Sequence, residues 1–108
     1  MKIEITARNF KLSNKLKKYI ENEINSLEKH YDRILDCQVI LEEVKNDRIA
    51  ELILRVYGKN LVTKDTSDEI FKSVDGAAEK LRRRLKKYKQ KLKDFDHIGK
   101  DFYQMELE

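Results

Sequence analysis

The sequence predicts an α+β domain in the order β-α-β-β-β-α, with one four-stranded sheet and two helices packed on one of its faces. Three observations carry this expectation. Apolar and polar residues alternate in the first eight positions and in runs between 36 and 64, the period of strands buried on one face. Apolar residues recur at steps of three and four over 13–31 and 68–93, the period of amphipathic helices. At 108 residues, 41% charged and 40% hydrophobic, the chain holds one core and no second globular unit.

The first strand is expected over Lys2 to Arg8, where Ile3, Ile5 and Ala7 share one face. Ser13 is a good helix N-cap, and Leu16, Tyr19, Ile20, Ile24, Leu27 and Tyr31 follow at helical spacing. Two runs rich in β-branched and aliphatic residues, Asp36 to Val44 and Arg48 to Tyr57, flank Lys45, Asn46 and Asp47, whose Asn and Asp suit a tight hairpin. Ala50, Leu52, Leu54 and Val56 share one face of the second run; Ile40, Val44, Ile53 and Tyr57 fall on the outward face. Gly58, Lys59 and Asn60 form another turn into a brief strand at Leu61 to Lys64. A polar connection, Asp65 to Ser67, leads to the last helix, with Ser67 as N-cap and Asp68 and Glu69 near its positive end. From Asp68 to Lys93 this helix is about 39 Å long, against about 17 to 30 Å for the strands, so its C-terminal half projects past the sheet. Gly76 lies inside it, either to admit a close backbone approach or as a tolerated weak spot; the second is the preferred reading.

Charge is distributed unevenly. Residues 1–79 carry a net −1, residues 80–93 carry +9 with no acid, and residues 94–108 carry −4. Within the basic run, Leu81, Leu85, Tyr88 and Leu92 continue the apolar stripe, while Lys80, Arg83, Arg84, Lys87 and Lys91 form a second stripe about 100° away. A solvated basic helix is one reading. However, nine cations without an interleaved acid forfeit the i,i+4 ion pairs of an ordinary surface helix, and like charges at that spacing repel, which favours relief by a polyanion.

Other chemistries find no foothold. Neither His30 nor His97 has a Cys or His at ligand spacing, so no metal or other cofactor is expected. Cys37 falls in phase with Val39 and Leu41 and reads as a buried structural thiol in a reducing compartment. Glu42 and Glu43 are adjacent on a strand and point to opposite faces, which disqualifies them as a carboxylate pair. Three glycines form no phosphate loop, and no apolar run approaches the ~20 residues a membrane span needs. A cytoplasmic, non-enzymatic protein without a small-molecule substrate, monomeric when free, is expected.

Two stretches resemble a known family. Asp68, Glu69, Ile70, Phe71, Lys72, Ser73, Val74 and Asp75, followed by Lys80, Leu81, Arg83, Leu85 and Lys87, are similar to the Asp-Asp-Met-Tyr-x-Ala-Ile-Asp…Lys-Leu-x-Arg-Gln-x-x-Lys pattern of the ribosome hibernation promoting factor family, which includes the ribosome-associated inhibitor protein Y. Asn9 to Lys29, with Ser13, Leu16, Tyr19, Ile20, Glu21, Leu27, Glu28 and Lys29, looks like that family's first helix. The resemblance covers residues 1 to about 93 and is to the short form of the family. It implies a domain, 1–93, similar to double-stranded RNA-binding domains, that binds small-subunit rRNA in the channel of mRNA and tRNA in stationary phase or stress, inhibiting translation reversibly without chemistry. Carried over by position, the rRNA-facing cations are Lys80, Arg83, Lys87 and Lys91. Arg84 joins them on the basic stripe, and Arg82 and Lys86 complete the candidate set; Arg82 and Arg84 depart from the Glu and Gln more usual there and are read as extra phosphate contacts or as solvated.

Two rivals remain: a generic binder of structured RNA, and a protein-interaction module acting on a transcription (sigma) factor through the outward sheet face at Ile53 and Tyr57. The tail, 94–108, is read as acidic and flexible. It has two possible roles, folding back to screen the basic helix or covering the outward face of the sheet with its apolar residues, of which Tyr103, Met105 and Leu107 alternate in strand fashion.

Overall fold

The structure, a computed structural model, describes the backbone of residues 1–98 and the side chains up to Lys91. The elements are β1 (Lys2–Arg8), α1 (Asn14–Asn25), β2 (Ile34–Val44), β3 (Asp47–Val56), β4 (Lys59–Ser67) and α2 (Ile70–Ile98), with a short 3₁₀ turn, Ser26–Lys29, after α1. The four strands form one mixed sheet in the order β1-β2-β3-β4. β1 runs parallel to β2, from Lys2 opposite Asp36 to Arg8 opposite Glu42, because α1 carries the chain back over the sheet between them; the other pairs are antiparallel hairpins.

Both helices lie on the face where the inward residues of the strands point. Cys37, Val39 and Leu41 of β2, Ala50, Leu52, Leu54 and Val56 of β3, and Leu61 of β4 meet Leu16, Ile20 and Ile24 of α1 and Val74, Ala77, Ala78, Leu81 and Leu85 of α2, all buried. The small residues Ala77 and Ala78 let α2 approach the sheet closely. Ser13 caps α1 as expected, its Oγ accepting the Leu16 N–H at 3.1 Å. Tyr31 is buried, although the α-helix ends at Asn25.

Several boundaries differ from the sequence-based reading. β2 begins two residues earlier, at Ile34, and an irregularity between Ile34 and Asp36 leaves Leu35 without a partner on β3. Asp47 opens β3 instead of closing the turn, so the loop is Lys45 and Asn46, with Lys45 at φ +55°. The next turn is Tyr57 and Gly58, not 58–60; Gly58 takes φ +85°, which a side chain disfavours. β4 is nine residues long, and the supposed connection Asp65 to Ser67 is strand paired with Arg48 to Ala50. Only Leu61 and Thr63 of β4 are buried, so its hydrophobic signal is short even though its ladder is long.

α2 also differs at both ends. It starts at Ile70, and Ser67 is not its N-cap: the Ser67 Oγ accepts the Glu69 N–H at 3.2 Å, before the helix, and sits 2.7 Å from the Ser73 Oγ, which donates to the Arg48 carbonyl at 2.6 Å. At the other end the helix runs through the expected boundary at 93 to Ile98. The tail readings for 99–108 lie outside the described residues. Among the described side chains, the last of α2 packed on the core are buried Leu85 and half-buried Tyr88, and Lys89, Gln90 and Lys91 are exposed.

Candidate nucleic-acid interface

At 100° per residue, the buried line Val74, Ala77, Ala78, Leu81 and Leu85 divides the cations of α2 into two flanks. Lys80, Arg84, Lys87 and Lys91 turn toward β4, Arg82, Lys86 and Lys89 toward α1, and Arg83 stands on the outer ridge. The β4 flank is completed by Lys64, exposed on the strand. Together Lys64, Lys80, Arg83, Arg84 and Lys87 line a shallow groove with Val62 and Thr63. Lys64 lies outside the basic run and was missed from sequence; only the pairing of β4 beside α2 brings it in.

The carboxylates absent from the run arrive from elsewhere, but only at its N-terminal end. Lys80 pairs with Asp65 at 3.1 Å and donates to the Lys64 carbonyl at 2.8 Å. Arg82 pairs with Glu23 of α1 and Glu79 of α2, each at 3.2 Å, and Arg83 lies 3.5 Å from Glu79. These two guanidiniums hold the Glu79 carboxyl below the usual carboxylate range, chiefly through the hydrogen bonds from Arg82. Arg82 is half-buried and spans the two helices. A second bridge between the same helices is the Tyr19 hydroxyl, which donates to Asp75 and is pushed up to about 12 mainly by that bond, while its ring meets Phe71 edge-on at 5.1 Å.

From Arg84 onward the pattern changes. Arg84 donates to the Val62 carbonyl and Lys89 to the His30 carbonyl at 2.8 Å, both neutral acceptors. Among the described residues no carboxylate pairs with Arg84, Lys86, Lys87, Lys89 or Lys91. Among the described residues, the charge without a carboxylate partner is therefore concentrated in α2 from Arg84 onward.

Gly76 has a definite reason. A Cβ there would lie 2.5 Å from the Asp65 Cγ and 3.2 Å from its Cβ. Only glycine lets the Asp65 side chain lie against α2, where it holds Lys80 one turn away. Neither reading from sequence holds as made: Gly76 is required by a close approach, but of the Asp65 side chain and not of a backbone.

Cys37 is fully buried in the core, and burial, with Asp36 beside it, pushes its thiol up to about 12. Among the described residues no cluster of His, Cys, Asp or Glu is arranged to hold a metal ion, and no helix is long and apolar enough to cross a membrane. His30 is exposed at the end of the 3₁₀ turn; the side chain of His97 lies outside the described residues.

Comparison with known proteins agrees with this fold. The sequence model described as Sigma 54 modulation protein / S30EA ribosomal protein matches residues 3–93, from β1 through the whole basic run. The chain belongs to this family. Relatives in the S30EA family include a ribosome hibernation promoting factor of Azotobacter vinelandii, 33% identical over 84% of this chain and 85% of its own length. The factor of the same name from Escherichia coli is 29% identical over 86% of this chain and 98% of its own. A solved structure titled a ribosomal subunit interface protein, from Coxiella burnetii, superposes with a TM-score of 0.79 at 26% identity, covering 83% of this chain and 99% of that one. The N-terminal domain of Thermus thermophilus Protein Y shares the fold, with a TM-score of 0.77 at 20% identity, over 82% of this chain and 99% of that one. The resemblance read from the two helical motifs is thus established at the level of the family.

Proposed function

We propose that this S30EA-family protein is a ribosome hibernation factor: it binds small-subunit rRNA in the channel used by mRNA and tRNA and inhibits translation reversibly, without chemistry. The observation that carries the proposal is the row Lys64, Arg84, Lys87 and Lys91 along one flank of α2, all exposed and, among the described residues, unmatched by any carboxylate. A rigid helix holds these groups at fixed spacing beside a sheet edge, so phosphates are met with little loss of side-chain order, and Arg84 has the planar fork for a bidentate contact. Arg83 extends the row outward, and Lys80 stands at its start, already partnered by Asp65. Lys86 reinforces the ridge. Arg82, grouped with the binding cations from sequence, serves here as the clamp between α1 and α2.

Cosedimentation of the protein with isolated small subunits, with free duplex RNA and with RNA polymerase tests the proposal. Preferential pelleting with small subunits, abolished by Arg83→Glu/Lys87→Glu with unchanged circular dichroism, is the expected result. Equal binding to duplex RNA would make the protein a generic RNA binder. Binding to RNA polymerase that survives this charge reversal but is lost in Ile40→Lys/Ile53→Lys, on the outward sheet face, would replace the ribosomal reading with sigma-factor modulation.

A further inference from the structure

We propose that Tyr57, at the β3–β4 turn, is a stacking platform for an unpaired RNA base, with the cations of the neighbouring α2 holding the phosphates on either side. The inference rests on the rRNA-binding reading and specifies a part of the ligand that the basic row does not address.

Tyr57 combines a fixed main chain with a free ring. Its N–H donates to the Arg33 carbonyl at 3.1 Å, and its own carbonyl accepts the Tyr88 hydroxyl at 3.0 Å, so the turn is tied both to the strand entry before β2 and to α2. The Tyr88 ring is itself held edge-on by buried Tyr31, centroids 6.1 Å apart. Yet Tyr57 is 70% exposed, more than any other large hydrophobic residue among those described. Beside it Leu35, left unpaired by the irregularity in β2, is 49% exposed. Arg33, Leu35 and Tyr57 line an open hollow of about 440 Å³. With its main chain fixed, Tyr57 has only two side-chain torsions left to order when a flat partner settles on its ring, and an adjacent guanidinium stacks on the same partner.

The charge around the hollow selects the partner. Among the described residues no carboxylate lines it. Lys59 lies 5.8 Å from the centre of the Tyr88 ring, and Tyr88 stands in α2 between Lys87 and Lys91, two members of the uncompensated row. An aromatic and an aliphatic group beside the Arg33 guanidinium, on a turn bound by Tyr88 of the basic helix, fit a base attached to its phosphates better than an apolar protein segment. Base faces are hidden inside a duplex, so the partner is an unstacked nucleotide.

The test measures the full-length protein and its Tyr57→Ala, Tyr57→Phe and Tyr57→Leu variants against a short single-stranded RNA carrying 2-aminopurine, a blunt duplex RNA and isolated small subunits. Stacking predicts that Tyr57→Ala and Tyr57→Leu lose about tenfold or more in affinity for the single strand and for subunits, that Tyr57→Phe retains both, and that duplex affinity does not change. Because no charge is removed, the salt dependence of single-strand binding stays that of the unsubstituted protein, and 2-aminopurine fluorescence is quenched only when an aromatic ring is present. Unchanged single-strand affinity in Tyr57→Ala overturns the inference; if subunit binding alone is then weakened, the platform faces a ribosomal protein instead. Equal losses on duplex and single strand overturn it too, as general damage to the interface. The Arg83→Glu/Lys87→Glu variant is run alongside: if it binds subunits normally the rRNA reading itself has failed, whereas loss there with no effect at Tyr57 removes only the stacking role.

Discussion

Gly76 and Asp65 show how one residue without a side chain sets the position of a charge. Alanine in place of Gly76 gains about 1 kcal/mol of helix propensity but drives a methyl into the Asp65 carboxyl, an overpacking cost of about 1 to 3 kcal/mol. Gly76→Ala is therefore expected to destabilise the protein, and to do so less in an Asp65→Ala background, where the carboxyl is gone and only the 3.2 Å approach of the Asp65 Cβ remains. A double-mutant cycle in urea measures both, and equal changes in the two backgrounds would refute the contact. A second prediction concerns alkali. Burial raises the Cys37 thiol from 9.0 to about 12, and the hydrogen bond to Asp75 raises Tyr19 from 10.0 to about 12. Both groups hold their protons more tightly folded than unfolded. Their contribution is complete below pH 9 and is lost as pH rises toward 12. The urea midpoint should fall across that window, and Tyr19→Phe should flatten the part above pH 10. Native Cys37 should resist a thiol reagent at pH 8 and react at the rate of a free thiol once the chain is denatured.

Within α2 the apolar stripe, the two basic flanks and the acid partners separate stability from binding. Leu81→Asp or Leu85→Asp places an unpaired carboxylate in the core and should detach the helix from the sheet, seen as loss of cooperative unfolding. Arg82→Ala should cost on the order of 1 kcal/mol by releasing α1 from α2, with subunit affinity nearly unchanged; Lys87→Ala should do the reverse, weakening affinity several-fold at constant stability. Cosedimentation and denaturation on the same samples check the pair. The stripe and the cations were legible in the sequence because both are periodic within one helix. Their partners were not: Glu23 and Asp65 belong to other elements, and no local pattern announces which carboxylate folds against which cation. The length of β4 was hidden for a related reason, since an edge strand with two inward residues carries little hydrophobic signal. The end of α2 was misplaced because charge changes sign at Asp94, although Leu92, Phe95 and Ile98 keep the helical step and no proline or glycine intervenes before Gly99. A change of charge is no helix stop.

At the scale of the molecule, a helix of 29 residues, about 43 Å, on a shorter sheet carries the positive charge at one end. Five cations, Lys64, Arg83, Arg84, Lys87 and Lys91, each neutralising one phosphate at about −0.7 to −0.9 per contact, predict a slope of log affinity against log salt near −3.5 to −4.5. A slope near zero in filter binding to small subunits would exclude the phosphate row. In a cell-free translation system, added protein should inhibit in proportion to occupancy, and excess mRNA and initiator tRNA should relieve it; indifference to both would place its action elsewhere on the ribosome. Finally, β4 is the last strand of the sheet, and such a border invites another chain to add a strand of its own. Here the carbonyls of Val62 and Lys64 are already taken by Arg84 and Lys80, so the side chains proposed to face RNA also seal the sheet against its own copies. Lys80→Ala/Arg84→Ala should therefore self-associate as concentration rises in sedimentation velocity, under conditions where the unsubstituted chain stays monomeric. Tolerance of crowding would then depend on two of the side chains proposed to meet phosphate.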